Sequence, residues 1–275
     1  PGEMILQPGA TYASPTVYAA DEAYGDAYDL WPKFHAAVRN DVVTWPGGKM
    51  RPRPVTLNTW EGNYCDHRID ALKAQATAAA GLGIERFVLD DGWFGLRDDD
   101  TSSLGDWFID KRKYPDGLGP LVDHVVSLGM EFGIWFEPEM VNRNSDLYRK
   151  HPDWILKIEG QPLLESRHQM VLDLTRPEAS DYLFKSMDDL LRAYEIAYIK
   201  WDMNRDITHA GDARGRAAVS RQTHAAYALM ARVRKAHPGL EIENCASGGG
   251  RADYGALRHT HRVWVSDCTD ALERL

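Results

Sequence analysis

The sequence predicts an α/β chain folded as a (β/α) barrel, and three observations carry that prediction. From residue 54 onward, short apolar runs alternate with longer helical stretches, the pattern of successive βα units around a parallel sheet. The apolar runs have no polar face, as befits strands buried on both sides. Nearly every run also ends in polar groups: Asn58 and Trp60, Asp90 and Asp91, Glu137 and Glu139, Lys200 and Asp202, Asn244 and Cys245, Ser266 and Asp267. A barrel gathers its strand C-termini around one mouth, where the active site lies. An open doubly wound sheet would show the same alternation, but no dominant glycine-rich dinucleotide loop follows the first strand.

The elements follow in order. Residues 1–25 read as one or two short strands broken by Gly and Pro. Residues 26–45 read as a helix with Tyr28, Leu30, Trp31, Phe34, Ala37 and Val38 on one side, and 46–54, "PGGKMRPRP", as a linker. "PVTLNTW" (54–60) is the first barrel strand, and the Ala-rich 66–83 a helix stopped by glycine. Strands then fall at 85–93 and 131–140, with a helix at 116–130 between them. Residues 167–179 hold a short strand, followed by a helix over 178–195. "AYIKWD" (197–202) is the next strand, then a helix through 215–236, and strands at 241–247 and 261–267. In "AYIKWD" the period of two puts Lys200 and Asp202 on one inward face and Trp201 on the outward one.

Composition limits the function classes. A chain of 275 residues can bury a large core, and its net charge of −9 argues against nucleic acid or an anionic membrane as partner. Cys65, Cys245 and Cys268 show no zinc or disulfide spacing, and the ten histidines form no metal-ligand pattern. No cofactor is expected. No apolar run approaches a membrane span and none resembles a signal peptide, so the cytoplasm is the expected compartment. The chain begins with Pro, so a longer native N-terminus is expected.

Asp202 and Asp267 stand at the ends of different strands. Paired carboxylates without a metal motif suit glycosyl transfer to water: one attacks the anomeric carbon, and the other protonates the leaving oxygen and then activates water. Lys200 is placed to favour the ionised form of Asp202. The competing structural reading is an Asp–Lys ion pair and an N-cap Asp. In "LDDGWFG" (89–95), Asp90 and Asp91 precede a glycine turn that can bring both into the mouth, where carboxylates accept from sugar hydroxyls. The bland alternative is a turn with one helix cap. A metal held by Asp90, Asp91 and Glu137 is disfavoured, since no His stands at a strand end. Trp60, Trp93, Trp135 and Trp264 can stack on sugar faces or fill the core. "CASGGGRAD" (245–253) could cradle a phosphate, though it lacks a P-loop ending. The acidic stretch 96–107 is a solvated loop or a wall of the pocket. Cys65-Asp66-His67 reads as a helix start capped by Asp66.

Together "FVLDDGWFG" (87–95), "GIWFEPEMV" (133–141), "HPDWIL" (151–156), "VLDLTRPE" (171–178), "KWDMNR" (200–205), "ENCASGGGR" (243–251) and "WVSDCTDALERL" (264–275) resemble the α-galactosidases of glycoside hydrolase family 36. The resemblance runs from about residue 5 to the end, in the family's order. It implies retaining hydrolysis of terminal α-galactosides such as melibiose and raffinose, with Asp202 as nucleophile and Asp267 as acid/base. Asp270 is the nearest alternative for the second role. It implies that Asp90 and Asp91 hold the 4- and 6-hydroxyls and that Trp135 lines the sugar subsite. Arg167 and Lys200 would donate to hydroxyls, and Cys245 and Gly248 would wall the 2-position. Trp60 and Trp264 would be pocket aromatics, with Asn204 beside the nucleophile. Cys268 departs from the family, which usually has Asn there.

The resemblance also revises the strand count. It places "MVLDLT" (170–175) in a long loop after the third strand, so that Asp202 ends the fourth barrel strand and Asp267 the sixth. The expected architecture is therefore a (β/α)8 TIM-barrel catalytic domain over 53–275, truncated after about the sixth strand. Residues 26–52 would be a helix and linker, and 1–25 the tail of an N-terminal β-sandwich. Such a piece is expected to be unstable and inactive alone, within a parent enzyme that is often a homotetramer. An α-N-acetylgalactosaminidase or an α-galactosyl transferase of the same family is the nearest rival, and Cys245 near the 2-position favours galactose over its N-acetyl analogue. A metal- or phosphate-dependent barrel enzyme and a non-catalytic sugar-binding protein are the readings from other classes.

Overall fold

A computed structural model describes residues 3–20 and 26–273. Eight strands are present among them: β1 Thr56–Asn58, β2 Arg86–Leu89, β3 Glu131–Phe136, β4 Met140–Asn142, β5 Gln169–Val171, β6 Tyr198–Trp201, β7 Glu241–Asn244 and β8 Arg262–Val263. Six form one parallel sheet in the order β1-β2-β3-β6-β7-β8, with β1 and β8 at its edges. This is the incomplete (β/α) barrel that the sequence predicts. β4 and β5 pair antiparallel in a ladder of their own within the excursion after β3. Asp202 therefore follows the fourth sheet strand and Asp267 the sixth.

The helices are α1 Ala27–Ala37, α2 Trp60–Asn63, α3 Ile69–Gly81, α4 Gly119–Ser127, α5 Asp146–Lys150, α6 Pro177–Ala193, α7 Val219–Ala236 and α8 Tyr254–Leu257. The helices that cover the sheet bury a single stripe at helical spacing: Leu72, Ala76 and Ala79 on α3, and Ala179, Leu183, Met187 and Leu190 on α6. On α7 the stripe includes a buried polar residue, Gln222, whose amide accepts from Leu174 N and donates to Leu172 O. That pair of bonds ties the helix layer to the segment after β5. Gly133 marks the crowded lumen, because a Cβ there would lie 2.8 Å from Tyr198 Cδ1 and 3.0 Å from Val88 Cγ2.

Three expectations are corrected. Residues 3–20 run without a strand, and 21–25 lie outside the described residues. α1 ends at Ala37 and passes into a π-helical turn over Val38–Val42. Among the described residues its aromatic side is largely uncovered: Tyr28 is 80% and Trp31 59% exposed. Asp66 caps no helix; α3 starts after Arg68 with no side-chain cap, while His67 is buried against Tyr114 Oη at 2.9 Å. Burial and the nearby Lys113 ammonium hold His67 down at about 4.

At the strand N-terminal ends lies a buried ion network. Arg86 is fully buried and donates to Glu131 from Nε at 2.9 Å and to Glu241 from Nη2 at 3.0 Å. Arg51, from the stretch read as a linker, reaches the same two carboxylates. Burial alone would raise Glu241, but the guanidiniums of Arg86, Arg262 and Arg51 hold it at about 2. The Arg86 guanidinium also lies 4.2 Å from the Tyr198 ring centre. Removing Arg86 strands two carboxylates in the sheet, so Arg86→Met should cost about 3–5 kcal/mol at neutral pH in denaturant melts. Because Glu241 is depressed in the fold, its stabilisation is present above its ordinary 4.5 and is lost toward about 2. The gap between variant and wild type should therefore narrow in melts taken from about pH 5 downward; a constant gap would count against the network.

Candidate active site

The strand C-termini surround a cavity of about 940 Å³. Asp202 and Asp267 both line it, with Trp60, Asp90, Asp91, Trp135, Arg167, Lys200, Asn204 and Trp264. Two expected residues do not reach its wall. Cys245 is buried beside Asp202, and burial first, then the Asp202 charge, pushes its thiol up. Gly248 lies behind Asp267; a Cβ on it would stand 3.0 Å from Ser266 Cα and 3.2 Å from Asp267 N.

Asp202 owes its orientation to three donors. Trp135 Nε1 at 3.1 Å and Asn204 Nδ2 at 2.7 Å share Oδ2, and Met203 N binds Oδ1 at 2.9 Å. The indole can reach because β3 and β6 run in register, Trp135 opposite Lys200 and Phe136 opposite Trp201. Trp201 points the other way, donating to the buried Glu139 at 3.0 Å. The inward–outward alternation read from "AYIKWD" thus holds.

Lys200 differs from expectation in its partner. Its Nζ pairs with Asp90 at 3.5 Å and lies 5.3 Å from the Trp264 ring centre. Burial works against the ammonium but is outweighed by the Asp90 carboxylate, then Cys245 and Asp202, so Lys200 is raised. Burial raises Asp90, and Lys200 and an Asn58 amide oppose it. Asp91 is gripped by Arg97, with Nε 2.9 Å from Oδ1 and Nη2 2.7 Å from Oδ2. Asp267 is exposed and accepts from Trp264 Nε1 at 2.8 Å. Asp270 instead accepts from Leu272 N at 2.8 Å, capping a turn.

The glycine-rich loop is no open anion cradle. A Cβ on Gly249 would meet Val265 O at 2.9 Å and one on Gly250 would meet Ala246 O at 2.6 Å. Arg251 folds back to Asn244 Oδ1 at 3.0 Å and Glu139 Oε1 at 2.6 Å. The glycines let the loop lie against 265–267, the segment that carries Asp267. Nor does the arrangement support the metal reading: among the described residues no His/Cys/Asp/Glu group could hold an ion. Trp93 is fully buried and belongs to the core.

Four residues escaped the sequence-based site. Arg97 sits in the acidic stretch read as solvated or pocket-forming, yet is 1% exposed; the lone cation before three aspartates was the available signal. Glu137 reads from the sequence as a polar strand end and a disfavoured metal ligand, with no role beside Asp202. Its Oε2 accepts from Gln169 Nε2 at 3.0 Å, and it also accepts from the Asn204 backbone N–H. Gln169 lines the cavity beside it, and Arg205, which closes the "KWDMNR" motif, clamps the same region.

The sheet and its rim define a (β/α)-barrel domain with carboxylates gathered at the strand C-termini. The chain belongs to the Melibiase family, whose model matches residues 11–275. It is 49% identical over 274 residues to the alpha-galactosidase of Escherichia coli, covering 100% of this chain and 38% of that protein. It is 41% identical over 276 residues to alpha-galactosidase AgaA of Geobacillus stearothermophilus, covering 98% and 38%. The chain thus spans 38% of the length of each of these relatives. The crystal structure of that GH36 alpha-galactosidase AgaA superposes with a TM-score of 0.84, covering 88% of this chain and 34% of AgaA at 41% identity. A doubly substituted AgaA in complex with raffinose gives 0.79 at 43% identity, covering 82% and 32%. The resemblance to family 36 read from the motifs is borne out.

Glu137 supplies a pH test of this geometry. Burial first, then the charge of Asp202, push it up to about 8, against the pull of the Asn204 N–H. The unfolded carboxyl titrates near 4.5, so between that value and about 8 the fold holds one proton more and stability falls as pH rises. Glu137→Gln mimics the protonated form. Its melting temperature relative to wild type should therefore climb between about pH 5 and pH 8, and an unchanged difference would place Glu137 outside this electrostatic contact.

Proposed function

We propose that the protein is a retaining exo-α-galactosidase acting on terminal α-galactosides of the melibiose and raffinose type. The observation that carries this reading is the meeting of Asp202 and Asp267, from separate strands, at one sugar-sized cavity. An Asp202 oxygen bonds to the anomeric carbon as the bond to the aglycone breaks, while Asp267 gives its proton to the leaving oxygen. Water then attacks the galactosyl ester, Asp267 takes its proton, and Asp202 is released. The three donors on Asp202 hold its carboxylate ready and spread the charge it regains.

Asp90, Asp91, Arg167 and Lys200 supply acceptors and donors for the hydroxyls, and Trp60, Trp135 and Trp264 the apolar walls. Asp91 keeps lone pairs for the sugar while Arg97 fixes its plane. Cys245 and Gly248 limit room from behind the wall. Relatives named alpha-galactosidase and the AgaA complex with raffinose support the same substrate class. A cytosolic setting and assembly into a homotetramer belong to this reading.

In the full-length protein, Asp202→Ala should lower turnover of p-nitrophenyl α-galactoside by about 10⁴-fold or more. Added azide should restore it and yield the β-galactosyl azide; near-normal turnover without azide would remove Asp202 from the nucleophile's role. Asp267→Ala should cost about 10²–10⁴-fold on raffinose. It should cost much less on p-nitrophenyl α-galactoside, whose leaving group needs little protonation, and equal losses on both would refute the acid assignment.

A further inference from the structure

Arg167 reaches the cavity from an unusual turn. Ser166 and Gln169 face each other across it, with Gln169 N donating to Ser166 O at 3.0 Å. The two residues between them, Arg167 and His168, have φ of 53° and 58°. A two-residue hairpin turn of this hand normally uses Asn-Gly or Gly-Gly, because left-handed backbone costs energy in residues with a Cβ. Arg-His persists there only if neighbours hold the turn, and the structure shows what does. Arg205, three residues after Asp202 and 7% exposed, donates from Nη1 to Leu164 O at 2.8 Å and to Gln169 O at 2.6 Å. Its Nε and Nη2 bind Asp206 O and Thr208 Oγ1 at 3.0 and 2.5 Å, which locks the guanidinium to the segment after the nucleophile. On the far side Asn142 Nδ2 holds His168 O at 2.7 Å.

We propose that Arg205 is a positioning residue: it ties the strained hairpin to the Asp202 segment and so sets where Arg167 meets the substrate. Both carbonyls it grips flank the turn, one on each arm, so a single guanidinium closes the hairpin's base. A lysine has one ammonium and no planar fork, and cannot hold two carbonyls and two further acceptors in that geometry. The inference rests on the proposed sugar site but concerns a different link, between two segments of its wall.

The test is a double-mutant cycle in the full-length protein. Arg205→Lys and Arg205→Met should each raise KM for p-nitrophenyl α-galactoside about 10–100-fold, with kcat changed by less than about threefold. In an Arg167→Ala background the same changes should add less than about threefold to KM, since the side chain they position is gone. Losses that multiply fully in the double variants, or a wild-type KM in Arg205→Met, would overturn the proposal. Should Arg205→Met fail to fold in a thermal melt, the lysine variant gives the same comparison. Galactose binding by calorimetry repeats the cycle without turnover. A wild-type protein that binds galactose but does not hydrolyse the substrate would thus refute the proposed reaction while still testing Arg205.

Discussion

The parallel register between β3 and β6 is the constraint on which the site depends. With Trp135 opposite Lys200, the indole leans over the end of β6 and its N–H reaches Asp202. A slip of β6 by one residue would turn Lys200 and Asp202 toward the helix layer, away from the face that carries Trp135. The register is held in turn by Gly133, which leaves room for Tyr198 and Val88 where any larger residue would push the strands apart. Packing at the middle of the sheet thus decides the position of a carboxylate at its rim.

From Asp202 a connected set of polar groups spreads through the wall. Asn204 binds Asp202 with its side chain and Glu137 with its backbone; Glu137 takes Gln169; and the Gln169 carbonyl takes Arg205. Across the cavity, Asp91, Arg97 and Asn142 form a second chain that ends on the same hairpin at His168. Nearly all these groups are buried, so each needs its partner, and none can move without exposing another's loss. A site that must recognise several hydroxyls at once gains from such stiffness, because the donors and acceptors are arranged before the sugar arrives.

The same side-chain type meets opposite fates at the two ends of the sheet. Glu241, among three guanidiniums at the N-terminal end, is held at about 2. Glu137, buried beside another carboxylate at the C-terminal end, is pushed up to about 8. What separates the two is the neighbour: guanidiniums face Glu241, whereas the charge nearest in effect to Glu137 is the Asp202 carboxylate, at the end of the sheet where chemistry is expected.

The sequence by itself determined the order of the βα units, the inward pair Lys200 and Asp202, and the polar rim, because a period of two and short apolar runs are local properties that survive without long-range contacts. The motif order identified the family and placed Asp202 and Asp267 on the fourth and sixth strands. Only the tertiary structure decided who pairs with whom. Lys200 turned to Asp90, Arg97 left its acidic stretch for Asp91, and Glu137, Gln169 and Arg205 joined through bonds that span tens of residues. The Lys200–Asp90 pair is set by a distance across the barrel that no short window along the chain contains, whereas Arg97 and Asp91 are six residues apart and only the path of the loop brings them together. The exposed aromatic side of α1 makes the same point in reverse: helical periodicity marks an apolar face, but only the packed fold says what, if anything, lies against it.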